Sequence, residues 1–194
     1  MTIGDRGYVV YTTVNNSYLT WNGYDWVNED GSLFTKVKYV KRTVDITALN
    51  KVFSYSNVVY KIVGDIDLAE GTLTIATGST LDFQGGSFSN GTIVGNNTTI
   101  VNTSNSYIFK ENLNTTGGFI LEELDIRWFG AKPDFNGTTG TDCSPAIQKA
   151  LDWSQYFYGI YLGIHGKFYL ETPIVTNMDL NMRGDRVPGK ILFT

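Results

Sequence analysis

Between positions 58 and 102, short apolar segments recur about every seven residues. Turn-forming residues separate them, as in Glu70-Gly71, Thr77-Gly78 and Asn90-Gly91. Segments this short are typical of strands that offer only one or two inward side chains, so they bury enough surface only when successive turns of chain stack. The spacing from Leu73 to Ile93 matches about 20 residues per turn of a solenoid. The pattern therefore predicts about two rungs of a right-handed parallel β-helix, with a β-sandwich as the alternative.

Residues 1–31 have a different pattern, in which aromatic and β-branched runs are separated by Asn-rich turns. Turns of this kind indicate hairpins, so a small β-meander is expected here. Thirty residues cannot bury this much aromatic surface by themselves. Trp21, Tyr24 and Trp26 are therefore candidate contacts, either with another subunit, which we favour, or with a glycan.

The remaining pattern completes a mainly β fold with little helix. Residues 32–57 are expected to form a linker with one strand and a short helical turn over 45–52. A helix is predicted over about 144–157, with Ser144 as N-cap and Pro145 at its first position. The resulting divisions are residues 1–31 (aromatic module), 32–57 (linker), 58–126 (short solenoid) and 127–194 (start of a further β-helix).

Composition excludes several classes of function. The 194 residues carry 15 Lys and Arg against 19 Asp and Glu, a net charge of -4 that disfavours a nucleic-acid partner. No run approaches the roughly 20 apolar residues of a membrane helix, so no membrane insertion is expected. Cys143 and His165 are the only residues of their types, so neither an intrachain disulfide nor a zinc site is predicted. No cofactor is expected, and no secretory signal is visible at the N-terminus.

Two motifs resemble a known family. The run WFGAKPD at 128–134, followed by TDCSPAIQKAL at 141–151 and GKFYL at 166–170, is similar to the start of pectate-lyase-like β-helix domains. Departures are the Pro133-Asp134-Phe135 segment, a longer loop at 136–140, and Cys143 in place of an acidic residue. The family motif maps onto Trp128, Phe129, Gly130, Asp142, Ser144 and Ile147. The resemblance implies a structural helix that plugs the first rung.

The aromatic pattern of residues 7–31 and the segment GTLTIATGSTLDFQGGSFSNGTI at 71–93 resemble tail fibres of tailed phages, particularly crAss-like and other gut phages. Together the resemblances imply a virion tail fibre or tailspike. The expected partners are two further copies in a homotrimer, other tail proteins and a host surface polysaccharide. One alternative is the N-terminal part of a polysaccharide depolymerase, a glycoside hydrolase or lyase, with its active site on rungs beyond residue 194. Another is a bacterial adhesin, against which the missing signal counts.

Candidate chemical groups each have a structural interpretation that we favour, so no catalytic residue is assigned. Four carboxylates are candidates for glycoside cleavage, namely Asp134, Asp142, Asp179 and Asp185. Turn formation and capping explain Asp134 and Asp142 better, and Asp185 follows Gly184 in a turn, where Asp is frequent for conformational reasons. His165 is expected to be structural, and Cys143 to be buried against the helix rather than activated by its N-terminus. Sequons at Asn90, Asn97, Asn102, Asn114 and Asn136 are explained by Asn-rich turns.

Overall fold

The computed structural model describes residues 9–12, 17–21, 26–27, 37–42, 45–102, 106–157, 160–176 and 181–184. Residues before position 37 are described by their backbone alone. The described part consists mainly of β-strands, with two α-helices and a 3₁₀ helix at Ile126–Phe129. The prediction of a mainly β fold is therefore confirmed.

The strands in chain order are β1 (Val9–Thr12), β2 (Ser17–Trp21), β3 (Trp26–Val27), β4 (Val37–Val40), β5 (Val59–Ile62), β6 (Asp65–Asp67), β7 (Thr72–Thr74), β8 (Thr80–Phe83), β9 (Ser87–Ser89), β10 (Gly91–Asn102), β11 (Leu113–Ile120), β12 (Glu123–Asp125), β13 (Tyr161–Ile164) and β14 (Asn181–Gly184). The helices are α1 (Ile46–Val52) and α2 (Ser144–Ser154). β1, β2 and β3 pair antiparallel, with Trp21 opposite Trp26, which confirms the predicted meander.

Every described strand pairing from β4 onward is parallel, and the register is nearly constant. Val59 lies between Val37, 22 positions earlier, and Thr80, 21 positions later. Thr80 pairs in turn with Thr99, a further 19 positions along. We call this series of β4, β5, β8 and the ends of β10 and β11 stack one. Successive turns of chain thus lie side by side.

Two further series follow the same rule. Stack two contains β7 and the first halves of β10 and β11, and it pairs Leu73 with Ile93. Stack three contains β6 and β9, and a bridge from Phe88 to Phe109 extends it. The last sheet contains β12, β13 and β14. There Glu123 pairs with Tyr161, 38 positions later, because the intervening chain includes α2.

The core lies where the inward faces of the stacks meet. Strand side chains alternate between buried and exposed, as a sheet with one covered face requires. Residues predicted to point inward are fully buried, including Ile66, Leu73, Leu81, Phe88 and Ile93. Burial of one such side chain contributes about 1.5–3 kcal/mol relative to leaving it in water. The apolar spacing in the sequence therefore located this core correctly.

Glycines recur where successive turns approach most closely. A Cβ on Gly86 would lie 2.5 Å from the carbonyl oxygen of Gly64, on the neighbouring turn. Gly117 has φ of +82°, and a Cβ there would lie 2.2 Å from the carbonyl oxygen of Gly95. These corners accept no side chain because backbone packs directly on backbone. The Gly pairs thus follow the same period as the strand register.

Helix α1 covers the open edge of stack two. Its N-cap is Asp45, whose Oδ1 accepts a hydrogen bond from the N–H of Ala48 at 2.9 Å. The predicted short helical segment is therefore confirmed. Asn50 Nδ2 donates to the carbonyl oxygen of Thr72 at 2.8 Å, and Asn50 Oδ1 accepts from the N–H of Thr74 at 2.8 Å. This amide takes the place of a strand beside β7, so the edge is not left unpaired.

Helix α2 packs its apolar stripe against the 3₁₀ helix and the last sheet. Its bounds correct two predictions. Cys143 rather than Ser144 is the N-cap, because the chain already has helical geometry at Ser144. The helix ends at Ser154 instead of about 157, because the chain continues in hydrogen-bonded turns from Trp153 to Tyr156 and from Ser154 to Phe157.

Neither helix in the described part of the chain has the length and hydropathy needed to cross a bilayer.

Candidate functional site

The first candidate site is a charged cluster on the last sheet. Glu123 of β12 and His165, just after β13, approach to 2.5 Å between Oε1 and Nε2. A Cβ on Gly163 would lie 2.3 Å from Glu123 Oε1, so the missing side chain makes room for this contact. Asp125 lies two residues further along β12, on the same face of the strand, and is buried. Parallel pairing of β12 with β13 therefore brings residues about 40 positions apart into one group.

These three residues have the donor types of a metal site, since the ligand atoms of Glu123, Asp125 and His165 lie within 4.8 Å of one another. Two arginines already compensate the charge. Arg127 binds both carboxylate oxygens of Asp125, and Arg183 Nη1 lies 3.9 Å from Glu123 Oε2. A cation would have to displace these contacts. We therefore interpret the cluster as a charge network that joins β12, β13 and β14.

The second candidate site is an open groove of about 670 Å³ between stacks two and three. Six polar residues line it, Asp67, Glu70, Asn90, Thr92, Asn112 and Asn114. No lysine or arginine lies among its described lining residues. The groove follows the corner where each turn of chain passes from stack three to stack two, so equivalent positions of successive turns stand one above another.

Hydrogen bonds along this corner hold the groove in shape. Asn90 Nδ2 donates to Asp67 Oδ2 at 3.0 Å, and Asn112 Nδ2 donates to Asn90 Oδ1 at 3.4 Å. Asp67 Oδ1 also accepts from the N–H of Ala69 at 2.8 Å. These bonds favour the charged form, and the N–H of Ala69 contributes most to lowering the pKa of Asp67. The result is a ladder of three planar polar groups.

The groove also contains left-handed backbone. Ala69 and Glu70 have φ of +49° and +62°, while Asn90 and Asn112 have φ of +51° and +52° at the following corners. Asparagine tolerates this conformation, whereas alanine and glutamate do so at an energetic cost. At the first corner, the left-handed positions at the rim of the groove are therefore occupied by Ala69 and Glu70, which adopt this conformation less readily than asparagine.

The carboxylates considered from the sequence have structural roles where they are described. Asp134 accepts from the N–H and hydroxyl of Thr141, at 2.8 Å and 2.6 Å. The Thr141 hydroxyl contributes most to lowering the Asp134 pKa. Asp142 Oδ1 accepts from both the N–H and the hydroxyl of Ser144. Asp142 thus forms a turn at the start of α2, Asp134 closes the loop before it, and neither side chain caps the helix. Asp179 and Asp185 lie outside the described residues.

Cys143 and His165 also behave as expected. Cys143 is 1% exposed, and its Sγ accepts from the N–H of Lys132 at 3.2 Å. The expected burial of Cys143 is therefore confirmed. Burial raises the pKa of its thiol, which disfavours the activated thiolate. His165 is half-buried against Glu123, which agrees with a structural role.

Three of the motif residues, Trp128, Phe129 and Ile147, belong to the hydrophobic core. Phe129 packs 5.6 Å from the ring of Trp153 on α2, and Trp128 packs 6.4 Å from Phe109. Gly130 ends the 3₁₀ helix in the left-handed conformation, and Ile147 is buried on the apolar stripe of α2. The motif therefore anchors α2 to the preceding turn of chain, a structural contribution.

The aromatic candidates near the N-terminus are only partly described. Trp21 and Trp26 stand opposite each other on β2 and β3, and Tyr24 lies outside the described residues. Their assignment as glycan or subunit contacts stays a prediction.

Two groupings were not foreseen from the sequence. Trp153 contacts Phe109, Phe119, Phe129 and Phe157, at centroid distances of 4.9 to 5.6 Å. The pair Glu123 and His165 was missed as well. Only the apolar stripe of α2 pointed toward the first grouping, and no local signal pointed toward the second.

Comparison with protein-family models, with curated proteins and with solved structures found no match to the chain. The resemblance to β-helix and tail-fibre proteins therefore rests on the motifs in the sequence.

Proposed function

We propose that this chain is part of a phage tail fibre or tailspike, in which stacked turns form the start of a right-handed parallel β-helix. The supporting observation is the nearly constant register of the parallel strands, 19 to 22 residues across stack one. A coil with a constant rise brings each turn onto the previous one at such a register. Phage fibres use rigid shafts of this kind to attach a virion to the surface of its host.

The proposed assembly is a homotrimer. Exposed apolar side chains gather on the outer face of stack one, where Val37, Tyr39, Val101 and Ile120 are 36%, 59%, 37% and 48% exposed. Val59, Thr80 and Thr99 continue the same outward row between Val37 and Ile120. A row of β-branched residues on a rigid sheet is suited to packing on another copy.

The proposal assigns the chain to virion structure and attachment, without catalysis by its described residues. The carboxylates with defined partners, Asp134 and Asp142, shape the loop before α2. Attachment would be to a surface polysaccharide of the host, and other tail proteins would hold the fibre in the virion.

Light scattering coupled to size exclusion tests the trimer directly. We expect a mass of three times 21.6 kDa for the purified chain. Ile120→Lys should lower this mass toward that of the monomer, because a charge would enter the uncharged row from Val37 to Ile120 on the outer face of stack one. Tyr156→Lys is the matched control, since Tyr156 is 70% exposed and lies outside that face. A wild-type monomer would contradict the trimer.

A further inference from the structure

The groove between stacks two and three is open to solvent and lined mainly by polar side chains. Its volume of about 670 Å³ lies within the range of small-molecule and oligosaccharide sites. Its side chains end in two carboxylates, three primary amides and a hydroxyl. Each of these groups exchanges hydrogen bonds with hydroxyl groups, and a carboxylate or an amide can bind two neighbouring hydroxyls at once.

These groups repeat along the groove. Thr92 of β10 lies beside Asn114 of β11 in parallel register. Asp67, Asn90 and Asn112 form the hydrogen-bonded ladder one corner position earlier. Neighbouring strands lie about 4.8 Å apart, which is also the scale of one sugar residue in an extended chain. A linear oligosaccharide along this corner would meet similar polar groups at each turn.

Several polar groups in the groove remain available for a ligand. Within the described residues, the carboxylate of Glu70 and the side-chain amide of Asn114 have no hydrogen-bond partner, and both residues are exposed. The ladder, in contrast, fixes Asn90 and Asn112 in place. The groove thus combines a pre-arranged floor with unoccupied groups at its rim, which lowers the entropy lost on binding.

Charge restricts the class of ligand. Asp67 and Glu70 place negative charge in the groove, and the lowered pKa of Asp67 keeps its carboxylate ionised at neutral pH. No described cation lines the groove to balance a ligand carboxylate or phosphate. Glycans that carry uronic acid or phosphate would therefore be repelled.

We propose that this groove binds a neutral oligosaccharide, with Glu70 and Asn114 making the direct contacts above the ladder of Asp67, Asn90 and Asn112. This inference rests on the proposed attachment function, because it gives the location of the glycan contact on the fibre. The ligand is defined by its hydroxyl groups and by its lack of negative charge.

An array of neutral and acidic bacterial surface oligosaccharides tests the groove with the full chain. We expect binding to neutral members and none to acidic members. Asn114→Ala should weaken binding at least tenfold, because it removes an amide that holds no structural hydrogen bond among the described residues. Thr116→Ala is the matched control, since Thr116 lies two residues further along β11, is exposed, and does not line the groove.

A second variant keeps the test independent of folding. Glu70→Gln should also weaken binding, whereas Glu171→Gln, an exposed carboxylate outside the groove, should leave it unchanged. Absence of neutral-glycan binding, equal binding of acidic glycans, or full binding by Asn114→Ala and Glu70→Gln would overturn the inference. The mass of each variant, measured by light scattering, reports separately on the proposed trimer.

Discussion

At the scale of single residues, Ser144 shows how one buried hydroxyl joins two parts of the chain. Its Oγ donates to Asp142 Oδ1 at 2.6 Å and accepts from the N–H groups of Glu171 and Thr172, both at 3.1 Å. Ser144 is 3% exposed, so water cannot replace these partners freely. The Ser144 hydroxyl therefore links the start of α2 to the segment after Tyr169.

Replacing this hydroxyl should destabilise the protein. We expect Ser144→Ala to lower the free energy of unfolding by about 1–3 kcal/mol, because the N–H of Thr172 loses its acceptor and the N–H of Glu171 keeps only Asp142 Oδ1. Urea denaturation followed by tryptophan fluorescence measures this change. Ser54→Ala is the matched control, since the Ser54 hydroxyl only donates to the carbonyl oxygen of Lys51 at an exposed position. Equal stability of the two variants would contradict this role of Ser144.

The carboxylate next to it should make stability depend on pH. The Ser144 hydroxyl, followed by the N–H groups of Ser144 and Glu171, lowers the pKa of Asp142. A lowered pKa in the folded state means that stability is fully present above the unfolded value of about 3.9 and is lost as pH falls through the folded value.

We therefore expect the unfolding free energy of Asp142→Asn to change less steeply than that of wild type between about pH 5 and pH 2. Asp134→Asn should flatten the dependence further, because hydrogen bonds from Thr141 lower the pKa of Asp134 in the same way. Urea denaturation at several pH values gives both slopes. An unchanged slope for Asp142→Asn would show that its hydrogen bonds do not stabilise the ionised carboxylate.

Local chemistry was predictable at this scale, and long-range pairing was not. The Ser, Pro and Asp residues near 142–145 signalled the helix start within one position, because capping involves neighbours in sequence. Glu123 and His165 are 42 residues apart. Their contact depends on how α2 and its loops lengthen the turn between β12 and β13, and no local pattern encodes that length.

At the scale of elements, the corners and edges of the stacks decide whether turns of chain can lie side by side. Gly117 and Gly118 are neighbours in β11, but only Gly118 has room for a side chain. Gly117 has a left-handed backbone against Gly95, whereas a Cβ on Gly118 would lie 3.5 Å from the backbone nitrogen of Asn97, an ordinary contact.

We expect Gly117→Ala to lower the free energy of unfolding by more than about 2 kcal/mol, through backbone strain and the clash with Gly95. Gly118→Ala should change it by less than about 1 kcal/mol, since a compatible alanine mainly restricts the unfolded chain. Parallel urea denaturations compare the two variants. Similar losses in both would mean that this corner does not have the described register.

The amide of Asn50 offers a second test at this scale. We expect Asn50→Ala to lower the free energy of unfolding by about 1–3 kcal/mol and to speed hydrogen exchange at the N–H of Thr74, which loses its acceptor. Lys51→Ala, on the same helix, should leave the exchange at Thr74 unchanged. Protection of Thr74 in Asn50→Ala would show that α1 does not cover this edge.

The sequence predicted the types of the secondary-structure elements better than it predicted which elements contact one another. The apolar spacing and the Gly and Asn turns predicted short stacked strands, and buried Leu73 and Ile93 lie in register as that spacing required. The sequence did not predict that α1 covers the edge of stack two. Asn50 is an ordinary polar position on a short helix in the sequence, and its role depends on β7 lying beside it.

At the scale of the whole molecule, the register of the stacks is the property on which the proposed fibre depends. The described turns rise by nearly one strand spacing at each repeat, from β4 through β11. The outer face of stack one and the polar groove lie on different stacks of these turns; the first is the surface that we propose for subunit packing, and the second is the one that we propose for a glycan. Both surfaces exist only if the turns stack in this register.

A crystal structure of the purified chain measures that register directly. We expect a right-handed coil in which Val59 lies between Val37 and Thr80, and Leu73 lies beside Ile93, all in parallel strands. A left-handed coil, or two facing sheets of antiparallel strands over residues 58–102, would contradict the β-helix.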